Sequence, residues 1–177
     1  MNTPMATPEL VLIDLDGTLV DSLPDIAFCV DSMLTELAMP TAGQERVRQW
    51  VGNGTDILVR RSIAGNLDGE VDEQLLARAL PLFTALYAKH TSERSRVYDG
   101  VVAGLDFLRT TGAALACVTN KASAFTHKSW DFPSAGKVRA AYPAIHMFSS
   151  GVITALLTPT FQRDFEVSTS GVKADFF

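Results

Sequence analysis

The sequence predicts an α/β protein, a doubly wound parallel-sheet core interrupted by an inserted helical cap. Three observations carry this. Residues 10–15 and 113–118 are short apolar runs that read as strands buried on both faces, as in a parallel sheet. The stretch between them, residues 21–96, is mostly helical in pattern and holds no good strand. Polar residues suited to chemistry stand at the carboxyl end of each apolar run, where open α/β sheets bind ligands.

The elements follow in order. Residues 10–15 form the first strand and place residues 14–18 at its carboxyl end. Residues 23–37 are helical: Ser22 is the N-cap, Pro24 sits near the first turn, and Ile26, Val30, Met33, Leu34 and Leu37 repeat at helical spacing. Pro40 and Gly43 break the pattern, residues 45–50 resume it, and Val51-Gly52-Asn53-Gly54 is a turn or loop. Residues 56–63 and 72–89 are helical again. An amphipathic helix over 102–111 has Val102, Leu105, Phe107 and Leu108 as its apolar positions, and Gly112 closes it. The strand at 113–118 then delivers Thr119-Asn120-Lys121. The order of strand, helical insert, helix and strand gives a core over 1–20 and 97–177 and a cap over 21–96. From about residue 127 the pattern changes: Pro133, Pro143 and Pro159 interrupt it, and 151–157 is one candidate strand.

Composition narrows the function. The chain has 177 residues, 47% hydrophobic and 20% charged, an ordinary globular balance with enough length for a real core. A net charge of −5 argues against nucleic acid as the main partner. The apolar runs are too short and too often broken by charge for a membrane span. Residues 1–9 lack the basic start and apolar core of a secretory signal, so a cytoplasmic location is expected. Cys29 and Cys117 lie far apart in apolar surroundings and read as buried free thiols, not metal ligands.

The chemistry concentrates in Asp14-Leu15-Asp16-Gly17-Thr18. A lone Asp-x-Asp would read as a solvated turn; the preceding apolar strand and the following Gly-Thr-Leu-Val-Asp-Ser favour a site. Asp14 is the candidate nucleophile, since a carboxylate attacking phosphorus splits one hard displacement into two easier ones. Asp16 is the candidate general acid and base. Gly17 lets the backbone approach a phosphate closely. Charge on phosphoryl oxygens calls for a divalent cation, and oxygen-only ligands point to Mg²⁺. Thr119 would offer its hydroxyl to the same oxygens.

Asp14-Leu-Asp16-Gly17-Thr18-Leu-Val-Asp-Ser resembles the first motif of the haloacid dehalogenase-like (HAD) phosphatases, and Cys117-Val-Thr119-Asn120-Lys121 resembles their second. Asp21-Ser-Leu-Pro-Asp-Ile, Trp50-Val-Gly-Asn-Gly54 and Tyr98-Asp-Gly-Val101 resemble the bacterial phosphoglycolate phosphatases more narrowly. The resemblance implies a Rossmann-like core and a helical cap that closes over the site. It implies Asp14 as nucleophile and Mg²⁺ ligand, Asp16 as acid/base and, through its main-chain carbonyl, a second ligand. Gly17, Thr18, Thr119 and Asn120 would bind the phosphoryl group. Gly52, Asn53, Gly54 and Arg60 are candidates for the substrate loop, with Arg61 fitting as well as Arg60.

The resemblance covers residue 10 to about residue 126 and then fades, as an abrupt replacement of the C-terminal part would produce. The family's third motif, a lysine before a proline, is expected near residues 155–159, which read Ala-Leu-Leu-Thr-Pro. No Gly-Asp of a fourth motif follows Lys121, and Asp164 and Asp175 lack its surroundings. Lys121, Lys128, Lys137 and Lys173 read as surface lysines. Loss of the fourth-motif strand would leave the first strand as an apolar sheet edge. The expected partner is a small phosphate ester, with 2-phosphoglycolate first. The alternatives are a sugar-phosphate phosphatase or phosphomutase, and a non-catalytic binding protein. The sequence gives no expectation of oligomeric state.

Overall fold

The computed structural model describes residues 8–119, 121 and 125, and the backbone of 147–149. In chain order its elements are β1 (Leu10–Asp14), β2 (Val20–Asp21), α1 (Leu23–Glu36), α2 (Gln44–Trp50), α3 (Thr55–Ala64), α4 (Glu73–His90), β3 (Arg96–Val97), α5 (Val101–Thr110), β4 (Ala114–Thr119) and β5 (Met147–Ser149). The expected strand over 151–157 and the other features placed beyond residue 125 lie outside the described residues.

The sheet is parallel, in the order β1-β4-β5. Leu10 pairs with Ala114 and Asp14 with Val118, so the strands bearing the two motifs end side by side. β4, flanked by a strand on each side, is buried except at Val118. β1 corrects the expectation of burial on both faces: Leu12 is 57% exposed. Among the described residues β1 has a neighbour on one edge only. A second correction concerns α5, where Leu105 is buried but Val102 and Phe107 are exposed. Only a narrow stripe of that helix meets the sheet.

Two hydrophobic cores form. The first joins Leu15, Leu19 and Val20 to Leu105 of α5 and Leu115, Ala116 and Cys117 of β4. The second lies among the four helices α1–α4, where Val30, Met33 and Leu34 meet Trp50, Val59 and Phe83. Helical spacing puts these residues on inward faces, and tertiary burial stabilises helices too short to persist alone. Asp72 caps α4, accepting from the Gln74 N–H at 2.8 Å. Ser22 precedes α1 as expected but makes no side-chain cap bond.

The two cores are joined by a feature absent from the sequence reading. β2 and β3 form an antiparallel ribbon, pairing Val20 with Val97 and Asp21 with Arg96. Beside it the Asp25 carboxylate, fully buried in the first turn of α1, accepts from the N–H groups of Ser92 (2.9 Å), Arg94 (2.8 Å) and Ser95 (2.9 Å). It also accepts from the Ser95 hydroxyl. The segment returning from α4 is thereby tied to the start of α1.

Candidate active site

The site begins with a local folding problem. β1 must stop and turn while keeping its last apolar residues in the core. Leu15 does this by accepting three N–H bonds on its carbonyl, from Thr18 (3.3 Å), Leu19 (3.0 Å) and Val20 (2.9 Å). Gly17 donates to the Val20 carbonyl at 2.8 Å with φ of +84°, a conformation that favours glycine. With Leu15, Leu19 and Val20 buried beneath, Asp14 and Asp16 on either side of Leu15 line a cavity of about 300 Å³ above. Thr119, at the adjacent end of β4, lines it too.

The helical layer supplies the opposite wall. Gly52 and Gly54 come from the α2–α3 connection, Thr55 from the start of α3, and Phe83 and Tyr87 from α4. Much of this wall is apolar, with Leu23, Ile26, Val51 and Leu58 also contributing. In such a setting charge–charge interactions are stronger than in water.

Burial, more than any other cause, raises the Asp14 pKa above its ordinary value; the Leu15 N–H at 2.8 Å opposes this, and the charge of Asp16 adds to it. Two crowded carboxylates are what a cation relieves. The described residues contain no group of three or more His, Cys, Asp or Glu placed to hold a metal. Mg²⁺, however, keeps several waters and commonly takes only one or two carboxylates plus substrate phosphate. The donors present fit that pattern.

Lys121 corrects the surface-lysine expectation. Its side chain is only 5% exposed, and its ammonium sits 3.0 Å from Asp16 Oδ1. The Tyr87 ring centroid lies 5.1 Å away. Burial pulls the Lys121 pKa down, but Tyr87 and Asp16 more than offset this and leave it raised, so the ammonium stays charged. The Lys121 N–H also donates to Thr119 Oγ1 at 3.2 Å, folding the chain back over the strand end. The sequence did hold a signal: Lys121 directly follows the strand-end pair.

The remaining expected residues divide. Gly52 and Gly54 line the cavity; Thr18 and Asn53 are not among the described residues that do. Asn53 Oδ1 instead accepts from Arg61 at 2.9 Å, and Arg61 also donates to the Trp50 carbonyl at 3.0 Å. Arg60 is turned to the acids of its own layer, donating to Asp56 (2.8 Å) and Glu73 (2.8 Å). It too is not among the described cavity residues, where Arg48 is found instead. Asn120 lies outside the described residues. Arg60→Ala is therefore expected to leave KM for a phosphate ester within about twofold and the melting temperature essentially unchanged, since its ion pairs are solvent-exposed. Steady-state kinetics and a thermal melt check this.

The thiols take no part. Burial, the main cause, pushes both Cys29 and Cys117 up to about 12, far from reactive thiolates. No helix among the described residues is long and apolar enough to cross a membrane.

A parallel sheet with a carboxylate pair at the end of β1, facing a helical layer across a cavity, defines an α/β protein with its candidate site at the strand ends. The chain matches the family model described as haloacid dehalogenase-like hydrolase over residues 11–132, and it belongs to that family. It is 51% identical over 120 residues to a phosphoglycolate phosphatase of Nitrosococcus oceani, a match covering 68% of this chain and 53% of the relative. To a phosphoglycolate phosphatase of Pseudomonas syringae pv. tomato it is 53% identical over 120 residues, covering 67% of this chain and 43% of the relative. The chain thus spans about half the length of these curated relatives. A crystal structure from Haemophilus somnus 129PT, described as a predicted phosphoglycolate phosphatase, superposes with a TM-score of 0.69 at 29% identity. That superposition covers 86% of this chain and 67% of the other.

Proposed function

We propose that this chain is a phosphoric monoester hydrolase acting on a small phosphate ester, with 2-phosphoglycolate as the favoured substrate. The observation that carries the reading is the juxtaposition of Asp14, Asp16, Gly17 and Thr119 on one wall of the cavity. The names of the relatives supply the choice of ester.

In the proposed reaction an oxygen of the Asp14 carboxylate attacks phosphorus. The bond from phosphorus to the ester oxygen breaks, and the Asp16 carboxyl gives its proton to the departing alkoxide. Asp16, now ionised, takes a proton from water, and the resulting hydroxide attacks the phosphorus of the aspartyl-phosphate. Inorganic phosphate leaves and the Asp14 carboxylate is restored. Thr119 donates its hydroxyl to a phosphoryl oxygen, and Gly17 allows that group to approach the backbone. Asp14 and the Asp16 main-chain carbonyl would hold Mg²⁺, which supplies positive charge for the phosphoryl oxygens.

The test is release of inorganic phosphate from 2-phosphoglycolate by the 177-residue chain in Mg²⁺. No release from soluble, folded protein sinks the reading. Because the described residues offer the cation one carboxylate, that of Asp14, and the Asp16 main-chain carbonyl, binding is expected to be loose. Chelation with EDTA should abolish release, and added Mg²⁺ should restore it with half-saturation of about millimolar order, to be read from a rate titration.

A further inference from the structure

The inference concerns Lys121, and it rests on the phosphatase reading above. A nearly desolvated ammonium is costly to keep unless an anion meets it. With Asp16 ionised one does, its Oδ1 standing 3.0 Å away; once Asp16 carries the proton it gives to the leaving group, that anion is gone and the place is open to another. In the proposed reaction Asp16 serves the ester oxygen, so the ammonium bonded to it lies on the leaving-group side of the site. An anion attached one carbon beyond that oxygen falls within its reach. Lysine is suited to such an exchange, since its four-carbon stem lets the charge shift from Asp16 to an incoming anion without backbone movement.

Among the described residues lining the cavity the basic ones are Lys121 and Arg48. The Arg48 side chain is 55% exposed and faces Glu45 at 3.8 Å, whereas that of Lys121 is 5% exposed. The interior cation is therefore Lys121. The geometry points to Lys121 as the specificity-determining residue that receives the carboxylate of the leaving alcohol, selecting phosphate esters whose alcohol carries a carboxylate on the adjacent carbon.

The experiment reads a ratio. In the full chain with Mg²⁺, kcat/KM is measured for 2-phosphoglycolate and for ethyl phosphate, in which a methyl replaces the carboxylate. Wild type should prefer the carboxylate ester. Lys121→Met should cut that preference about 10- to 150-fold, the range for losing one charged hydrogen bond, and Lys121→Arg should keep most of it. Equal loss on both esters, or a preference that follows Arg48→Met instead, overturns the assignment.

A second measurement needs neither turnover nor a variant fold. The side-chain resonances of Lys121 in ¹³C-lysine-labelled wild type are followed during titration with 3-phosphonopropionate and with propylphosphonate. These are the non-hydrolysable counterparts of the two esters. A shift with the first and not the second supports the proposal; the same response to both overturns it. If wild type hydrolyses neither ester yet Lys121 responds selectively, the reaction is wrong and the carboxylate site stands. Hydrolysis without selectivity gives the reverse.

Discussion

Asp25→Ala should lower the midpoint of thermal unfolding by about 10 °C. One carboxylate accepts three backbone N–H groups and a hydroxyl, and it is fully buried. Alanine leaves those partly buried donors facing an emptied, buried pocket without their acceptor. Breaking a buried charged network in this way costs about 3–5 kcal/mol. At about 2–4 °C per kcal/mol for a chain of this size, the expected drop follows. The Arg94 guanidinium, 3.7 Å from Asp25 and lying over the Phe28 ring, would lose one of its two anionic neighbours, keeping Glu93 at 2.9 Å. Asp25→Asn keeps the shape but loses charge and acceptor capacity, so it should cost less, about 1–3 kcal/mol. Melts followed by circular dichroism measure both. A shift below about 2 °C for alanine would mean that the loop finds other acceptors at little cost.

Asp14→Asn should reduce phosphate release by about 10⁴-fold or more, the scale on which removing a nucleophile acts. The same change should slightly stabilise the protein at neutral pH, and the sign can be worked out. The folded-state pKa of Asp14 lies above its ordinary value of 3.8. Its favourable contribution is therefore complete below 3.8 and is lost as pH rises through the higher folded value. At pH 7 the ionised group is a net cost that an amide removes. Asp14 is only partly buried and still meets solvent, so screening limits the gain to about 0.5 kcal/mol, or about 1–2 °C. At pH 3 wild type and variant should melt together. An inactive variant that also melted well below wild type at pH 7 would argue that Asp14 is structural.

Local rules read much of this molecule. The helices fall where apolar spacing puts them, because Val30, Met33 and Leu34, or Leu76, Ala79 and Phe83, can share a buried face only in helical geometry. Asp14 and Asp16 were legible because the strand end, the glycine and the carboxylates fall in one unbroken segment. What escaped depends on distant partners. The two-residue strands β2 and β3 are too short for any periodicity, and they exist only because residues 20–21 and 96–97 meet in space. Asp25 could have been suspected: it shares a helix stripe with Cys29 and Met33, both fully buried, so a carboxylate there needs donors from elsewhere. Lys121 reads as a surface residue because lysines are usually solvated; its place directly after Thr119-Asn120 points to the site, but only the fold brings Tyr87 over it. Phe107 erred the other way, since an apolar residue on an amphipathic helix need not face the sheet.

The paired ribbon sets how the helical layer can move. A single connecting strand would act as a ball joint, free to swing and twist. Two crossings laced at Val20–Val97 and Asp21–Arg96 act as a door hinge, since bending along the ribbon keeps both rungs while twisting or sliding breaks them. The ribbon runs straight into the turn after Asp16: Tyr98 donates to the Leu19 carbonyl at 3.2 Å, and Val20 accepts from Gly17 at 2.8 Å. The helical layer is thereby tied to the backbone beside Asp16 by an unbroken run of main-chain hydrogen bonds, so strain in the one is felt in the other.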